Sequence, residues 1–209
     1  MDNAVSLVQA YLRVNGYFTV TELPVIEAMR GGGYRTATDI DVLAFRFPRA
    51  GRLVPRHGAS RTRDRANYDV DPELGIDGES ADMLIGEVKE GKAELNRGAR
   101  EPAVIRAALT RFGCCSPERA ESIAQELVRG GHAETDHGHR VRLVAFGSTA
   151  GAGAAPNYHI IRFARVVSFL ESHLSHNWDT LRQAEFKEPG LAFLGLLHKA
   201  GVHLRTPKS

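Results

Sequence analysis

A single α/β or α+β domain built on a mixed central sheet is the fold class this chain predicts. Three observations lead there. The period of the hydrophobic residues switches between helical and alternating in the order helix, three strands, one or two helices, strand, strand, helices. The length of 209 residues suits one large domain, or one domain with a small appendage. A composition of 43% hydrophobic and 25% charged residues is that of an ordinary globular chain with enough material for a core.

The elements follow in order. Asp2 or Asn3 caps a first helix, in which Val5, Val8 and Leu12 fall at helical spacing, and Asn15-Gly16 ends it. "YFTVTELPVIEA" is aromatic and β-branched and reads as a strand broken near Pro24. "MRGGGYRT" is a turn, and "DIDVLAFRF" alternates as a second strand stopped by Pro48. "DMLIGEVK" is the third strand. "EPAVIRAALTRFG" and "SPERAESIAQELVRGG" are helices with Pro in the first turn and Gly at the end. "HRVRLVAFG" and "YHIIRF" are strands joined by the small-residue loop "STAGAGAAPN". Phe163, Val167, Leu170 and Leu174 mark a further helix, and a last one runs from near Pro189 to Gly201.

Between the second and third strands lies a charge-segregated insertion at about 46–82. Arg46 to Arg65 holds seven Arg against one Asp, and Ala66 to Asp82 holds six acids and no base. Arg52, Arg56, Arg61 and Arg63 within it are candidate phosphate contacts, because the guanidinium fork suits phosphate oxygens. The net charge of +2 points to no partner by itself. The N-terminus does not read as a secretory signal, no apolar run is long enough for a membrane helix, and the only cysteines are the adjacent Cys114 and Cys115. A cytoplasmic protein with free thiols and no membrane partner is the expectation.

The chemistry rests on "GEVKEG". Glu87 and Lys89 stand two apart on a strand and therefore point to one side of the sheet. Met83, Leu84, Ile85 and Val88 around them imply burial, which is costly for a lone charge. A divalent cation, a second carboxylate or an anionic substrate would each offset that cost. Asp41 lies in the preceding strand, and if the two strands pair its carboxylate meets that of Glu87. Two such carboxylates make a hard-oxygen site of the kind Mg²⁺ uses, and Lys89 beside it would orient or deprotonate the attacking water, or stabilise charge on a phosphate.

Asp41 on one strand and Glu87-Val88-Lys89 on the next, after an N-terminal helix and strand, resemble the PD-(D/E)xK nuclease superfamily, also called restriction-endonuclease-like. The resemblance covers roughly residues 4–112. It implies an αβββαβ core within residues 1–150, with residues 151–209 adding the last strand and C-terminal helices to the same domain. It also implies Mg²⁺- or Mn²⁺-dependent hydrolysis of phosphodiester bonds in nucleic acid, most simply DNA, with Asp41, Glu87 and Lys89 as the motif's two acids and lysine. A homodimer would suit an enzyme that cuts both strands. Asp41 lacks a preceding Pro, and the first helix offers Gln9 where many members place Glu. Glu22 or Glu27 is the candidate third metal ligand, and Asp39 could replace Asp41.

Two other readings of the site stand beside this one: a nucleic-acid-binding module of the same fold without turnover, and a scaffold in which Glu87 and Lys89 form a structural ion pair. "DVDPELGIDGES" lacks the Gly and Glu of a calcium loop, so its acids are expected to be solvated. Residues 103–146 also resemble a winged helix, with Arg119 and Arg129 on its recognition helix, although a strand is needed there to complete the sheet. His132, His137 and His139 match no zinc spacing and read as part of a turn.

Overall fold

The computed structural model describes residues 2–50, 70–151, 156–182, 185–202 and 204. Helix α1 spans Asn3–Val14, capped by the Asp2 side chain, which accepts a hydrogen bond from the amide of Ala4 at 2.9 Å. Strands β1 (Phe18–Ala28) and β2 (Tyr34–Arg46) form an antiparallel hairpin, and β3 (Asp82–Lys92) pairs antiparallel with β2. Helices α2 (Pro102–Phe112) and α3 (Pro117–Gly130) carry the chain across one face of the sheet. Next come β4 (His132–Glu134), β5 (Arg140–Thr149) and β6 (His159–Arg162), then helices α4 (Phe163–Leu181) and α5 (Pro189–Lys199).

The sheet order is β1-β2-β3-β5-β4, with β6 also on β5. Strands β3, β5 and β6 run parallel and the rest antiparallel, so the sheet is mixed as expected. Helices cover both faces. On one, Val8, Tyr11 and Leu12 of α1 and Leu170 and Leu174 of α4 pack on Val42, Leu84, Val144 and Phe146. On the other, Ile105 and Leu109 of α2 and Ile123 and Leu127 of α3 pack on Leu43, Met83, Ile85 and Leu143. Each such side chain taken fully out of water contributes about 2 kcal/mol. Coverage on both sides explains why β3 and β5 read as nearly unbroken apolar runs. Among the described residues no helix is long and apolar enough to cross a membrane.

Several expectations need correction. Pro24 does not break β1: it pairs opposite Asp39, which an edge strand permits because one row of its amides needs no partner. The short strand β4 forms a hairpin with β5 through the turn at Thr135–His139, as the winged-helix reading had it, and Gly138 there is left-handed. That hairpin has the order of a winged helix, yet β5 also lies parallel to β3 in the middle of the sheet, which is the role the fold needed. Asp71 is not solvated. It is fully buried, accepts from the Tyr11 hydroxyl at 2.8 Å and from Arg165 Nε at 2.9 Å, and its amide donates to Asn15 Oδ1 at 2.6 Å.

Candidate active site

The site forms where β2 and β3 part. Their paired register runs from Arg46↔Asp82 to Val42↔Gly86 and stops there. On the other side of β2, Glu22 lies between the pairs Thr21↔Val42 and Leu23↔Ile40 with φ +53, a left-handed backbone uncommon for a residue with a side chain. Strict alternation along β2 also fails here: Ile40 and Leu43, three apart, belong to the same core cluster. Asp41 sits at this irregularity. Its Oδ2 accepts a hydrogen bond from the backbone N–H of Val88 at 2.7 Å, taking up a β3 amide beyond the last strand pair. The carboxylate is thereby fixed against the backbone between Glu87 and Lys89.

Glu87 and Lys89 share the face of Met83 and Ile85, as their spacing predicted. Glu87 is 1% exposed. Its Oε1 pairs with the Lys89 ammonium and accepts from Asn96 Nδ2 at 2.7 Å. Its Oε2 is buried and has no hydrogen-bond partner among the described residues. The Lys89 side chain is 41% exposed, so the pair runs from the interior to the surface.

Asn96 reaches Glu87 because the chain after β3 folds back over the sheet. The amide of Ala93 donates to Thr149 O at 2.8 Å, and Ala93 lies directly over Gly147, where a Cβ would come within 2.5 Å of its backbone nitrogen. Gly98 lies against the Thr38 side chain, which a Cβ there would approach to 2.9 Å. Between these two contacts Asn96 faces the sheet, and its Oδ1 accepts from the Ala99 amide at 2.6 Å. The carboxamide therefore bridges the turn and the Glu87 carboxylate.

The fields within the site are mutual. Burial pushes the Asp41 carboxyl up, opposed by the Val88 amide and Lys89 and reinforced by Asp2 and Asp39. Burial likewise pushes Glu87 up, with Lys89 and Asn96 opposing and Asp41 adding to the rise. Burial alone would lower Lys89, but its bond to Glu87 and the charges of Glu87, Asp41 and Glu94 outweigh this and raise it. Lys89 is thus a firmly held cation at neutral pH, suited to orienting water and neutralising developing negative charge, and unsuited to removing a proton.

Glu22 is exposed, and Glu27 is paired with Arg35. Asp39 is exposed and acts on Asp41 through its charge. Gln9 Nε2 donates to Thr19 Oγ1 at 3.2 Å. Among the described residues no group of three or more His, Cys, Asp or Glu side chains is placed to hold a metal ion. The candidate phosphate contacts Arg52, Arg56, Arg61 and Arg63 lie outside the described residues. Cys114 and Cys115 are free, with burial pushing the Cys114 thiol up to about 12, which leaves it an inert buried group. His137 and His139 stack edge-to-face at 6.0 Å in the hairpin turn.

Asn96 is the site residue that sequence reasoning missed. Nothing in "AELNRGAR" marks it, because its role depends on a turn whose course is set by contacts with Gly147 and Thr38 on other strands.

Compared with known proteins, the chain matches no family model, no curated protein and no solved structure.

Proposed function

We propose that this protein is a metal-dependent phosphodiester hydrolase, a nuclease acting through Asp41, Glu87 and Lys89. The observation that carries the reading is the state of Glu87: an almost fully buried carboxylate with one oxygen held by two donors and the other without a hydrogen-bond partner among the described residues. A buried polar atom without a partner costs about 1–3 kcal/mol, more when charged, and a bound ion or water is one way that cost is met. The Asp41 carboxylate adds to the cost of ionising Glu87. A divalent cation between the two would relieve both costs. The donors are hard oxygens, and two carboxylates completed by water and substrate oxygens suit Mg²⁺ or Mn²⁺.

When bound, the ion supplies Lewis-acid polarisation of the scissile phosphate. The chain supplies the rest. Asp41 is held in place by the Val88 amide, so it needs no reorganisation on binding. Asn96 and Lys89 fix the rotation of the Glu87 carboxylate. The half-exposed Lys89 ammonium orients the attacking water and stabilises charge building on the phosphate oxygens.

Incubation of plasmid, single-stranded DNA and RNA with Mg²⁺, Mn²⁺ or chelator tests this. Cleavage only with the divalent ion, lost in Glu87→Ala and Lys89→Ala proteins that still fold, is the expected result. Cleavage retained in both variants would refute the assignment.

A second reading, the non-catalytic nucleic-acid-binding module, is favoured by the completeness of the Lys89–Glu87–Asn96 contact, which already pairs one Glu87 oxygen with two donors. Such a protein would shift nucleic acid in gels and ignore the metal.

A further inference from the structure

The turn that Asn96 ties to Glu87 also carries two cations with no role so far. Arg97 and Arg100 are exposed, and among the described residues neither side chain makes a hydrogen bond or an ion pair. The other cation after Lys89 on this stretch, Lys92, is occupied by Glu94 Oε2 at 2.6 Å. Arg100 is the better placed of the two arginines. Its guanidinium lies over the Tyr158 ring, 5.1 Å from the centroid. An aromatic face restrains an arginine without using its five N–H donors, which remain in plane for a bidentate acceptor.

The surroundings place this pair beside the site. Its turn is held to Glu87 by Asn96 and to the sheet by Gly98 against Thr38. Glu94 is lowered chiefly by its bond to Lys92, and the charges of Arg100 and Lys89 both reach it. Tyr158 also lines a cleft of about 320 Å³ together with Asn157, His132, His159 and Arg140. Lys89 and Arg100 thus both act on Glu94, which is held by Lys92, and Arg100 continues through Tyr158 to a cleft with no acid among its described lining residues. A single carboxylate or phosphate would occupy one of these positions. A phosphodiester chain, with an anion at every residue and a base to lay against a ring, can occupy several.

We propose that Arg100, held on the ring of Tyr158, binds a backbone phosphate of the nucleic acid next to the one positioned for cleavage. The inference rests on the nuclease reading for its substrate class. It concerns binding alone, so it can be tested without turnover.

The experiment measures binding of fluorescein-labelled 20-mers, single- and double-stranded, DNA and RNA, in chelator over a series of salt concentrations. Wild type, Arg100→Ala, Tyr158→Leu and the double variant are compared, with circular dichroism and Tm confirming the fold and inorganic phosphate as competitor. Arg100→Ala is expected to weaken binding on the order of fivefold whatever the sequence, and to reduce the salt slope by roughly 0.7–0.9, one phosphate contact. Tyr158→Leu should weaken binding too, and the double variant should lose less than the product of the single losses, because the ring acts partly through Arg100.

Unchanged affinity and slope in a folded Arg100→Ala protein overturn this inference and leave the nuclease reading standing. Arg100-dependent binding by a wild type that never cleaves supports the inference and sinks the catalytic reading. A wild type that binds none of the oligonucleotides overturns both. Inorganic phosphate alone displacing the oligonucleotide at equal concentration would show a simple anion site and overturn the claim that a polynucleotide is the ligand.

Discussion

The backbone N–H of Val88 donates to Asp41 Oδ2 at 2.7 Å, where the pairing of β2 with β3 has just ended. A side chain takes up an amide that the next strand leaves, and this holds one carboxylate against the backbone between Glu87 and Lys89. The sequence proposed that the Asp41 carboxylate meets that of Glu87; the contact it makes is with the Val88 amide beside Glu87.

Asp41 can therefore be separated from the fold. Asp41→Asn keeps a carbonyl to accept from Val88 and removes the charge. It is expected to change stability by less than about 1 kcal/mol and to lower divalent-dependent cleavage by at least about 100-fold. Chemical denaturation and initial rates on plasmid measure the two. A large loss of stability with cleavage intact would make Asp41 a structural residue only.

Glu87 makes a prediction with a definite sign. Its carboxyl is raised by burial, so its folded-state value lies above the ordinary one, near 4.3. The ionised form then weakens the metal-free fold at neutral pH, and the cost disappears as pH falls through the raised value towards the ordinary one. Glu87→Gln should raise Tm by roughly 2–4 °C at pH 7.5, and by progressively less at lower pH. A lower Tm for the variant at pH 7.5 would mean that the Lys89 pair is a net stabiliser and the site a structural ion pair.

Asn96 depends on Gly147. A Cβ at 147 would come within 2.5 Å of the Ala93 backbone, which must then lift and carry the turn away from Glu87. Gly147→Ala and Asn96→Leu should both reduce metal-dependent cleavage, through different atoms and by a comparable factor of about tenfold or more. Rates that stay at wild-type level in Asn96→Leu would remove Asn96 from the site.

Asp71 belongs to the fold and not to the chemistry. Burial would raise its carboxyl, but the bonds from Arg165, the Glu73 amide and Tyr11 outweigh this and hold it below the usual range. Asp71→Asn should cost about 2–3 kcal/mol at pH 7, less than a fully buried pair because Arg165 is partly exposed. A depressed carboxyl contributes stability above its ordinary value and loses it as pH falls through the folded one, so the gap between wild type and variant should stay full at about pH 5 and begin to narrow only below about pH 4. Urea titrations at pH 7 and pH 3 check this.

Much of the fold was legible because its signals are local. Pro102 and Gly113, Pro117 and Gly131, and the apolar runs of β3 and β5 each announce an element within a few residues. The spacing of Glu87 and Lys89 gave their common face for the same reason. Pro24 misled because its tolerance depends on β1 being an edge, which is known only once the sheet is assembled. Asp71 misled because its partners Tyr11 and Arg165 are 60 and 94 residues away in the chain. Asn96, the left-handed Glu22 and the parting of β2 from β3 share that character, since each is set by a neighbouring strand and not by its own sequence.

Titration with Mn²⁺, followed by the spectrum of the free ion, tests the central proposition most directly. One ion per chain is expected for the wild type, with affinity falling at least about tenfold in Asp41→Asn and in Glu87→Gln. A wild type that leaves Mn²⁺ free, or a pair of folded variants that bind it as well as the wild type does, would contradict it.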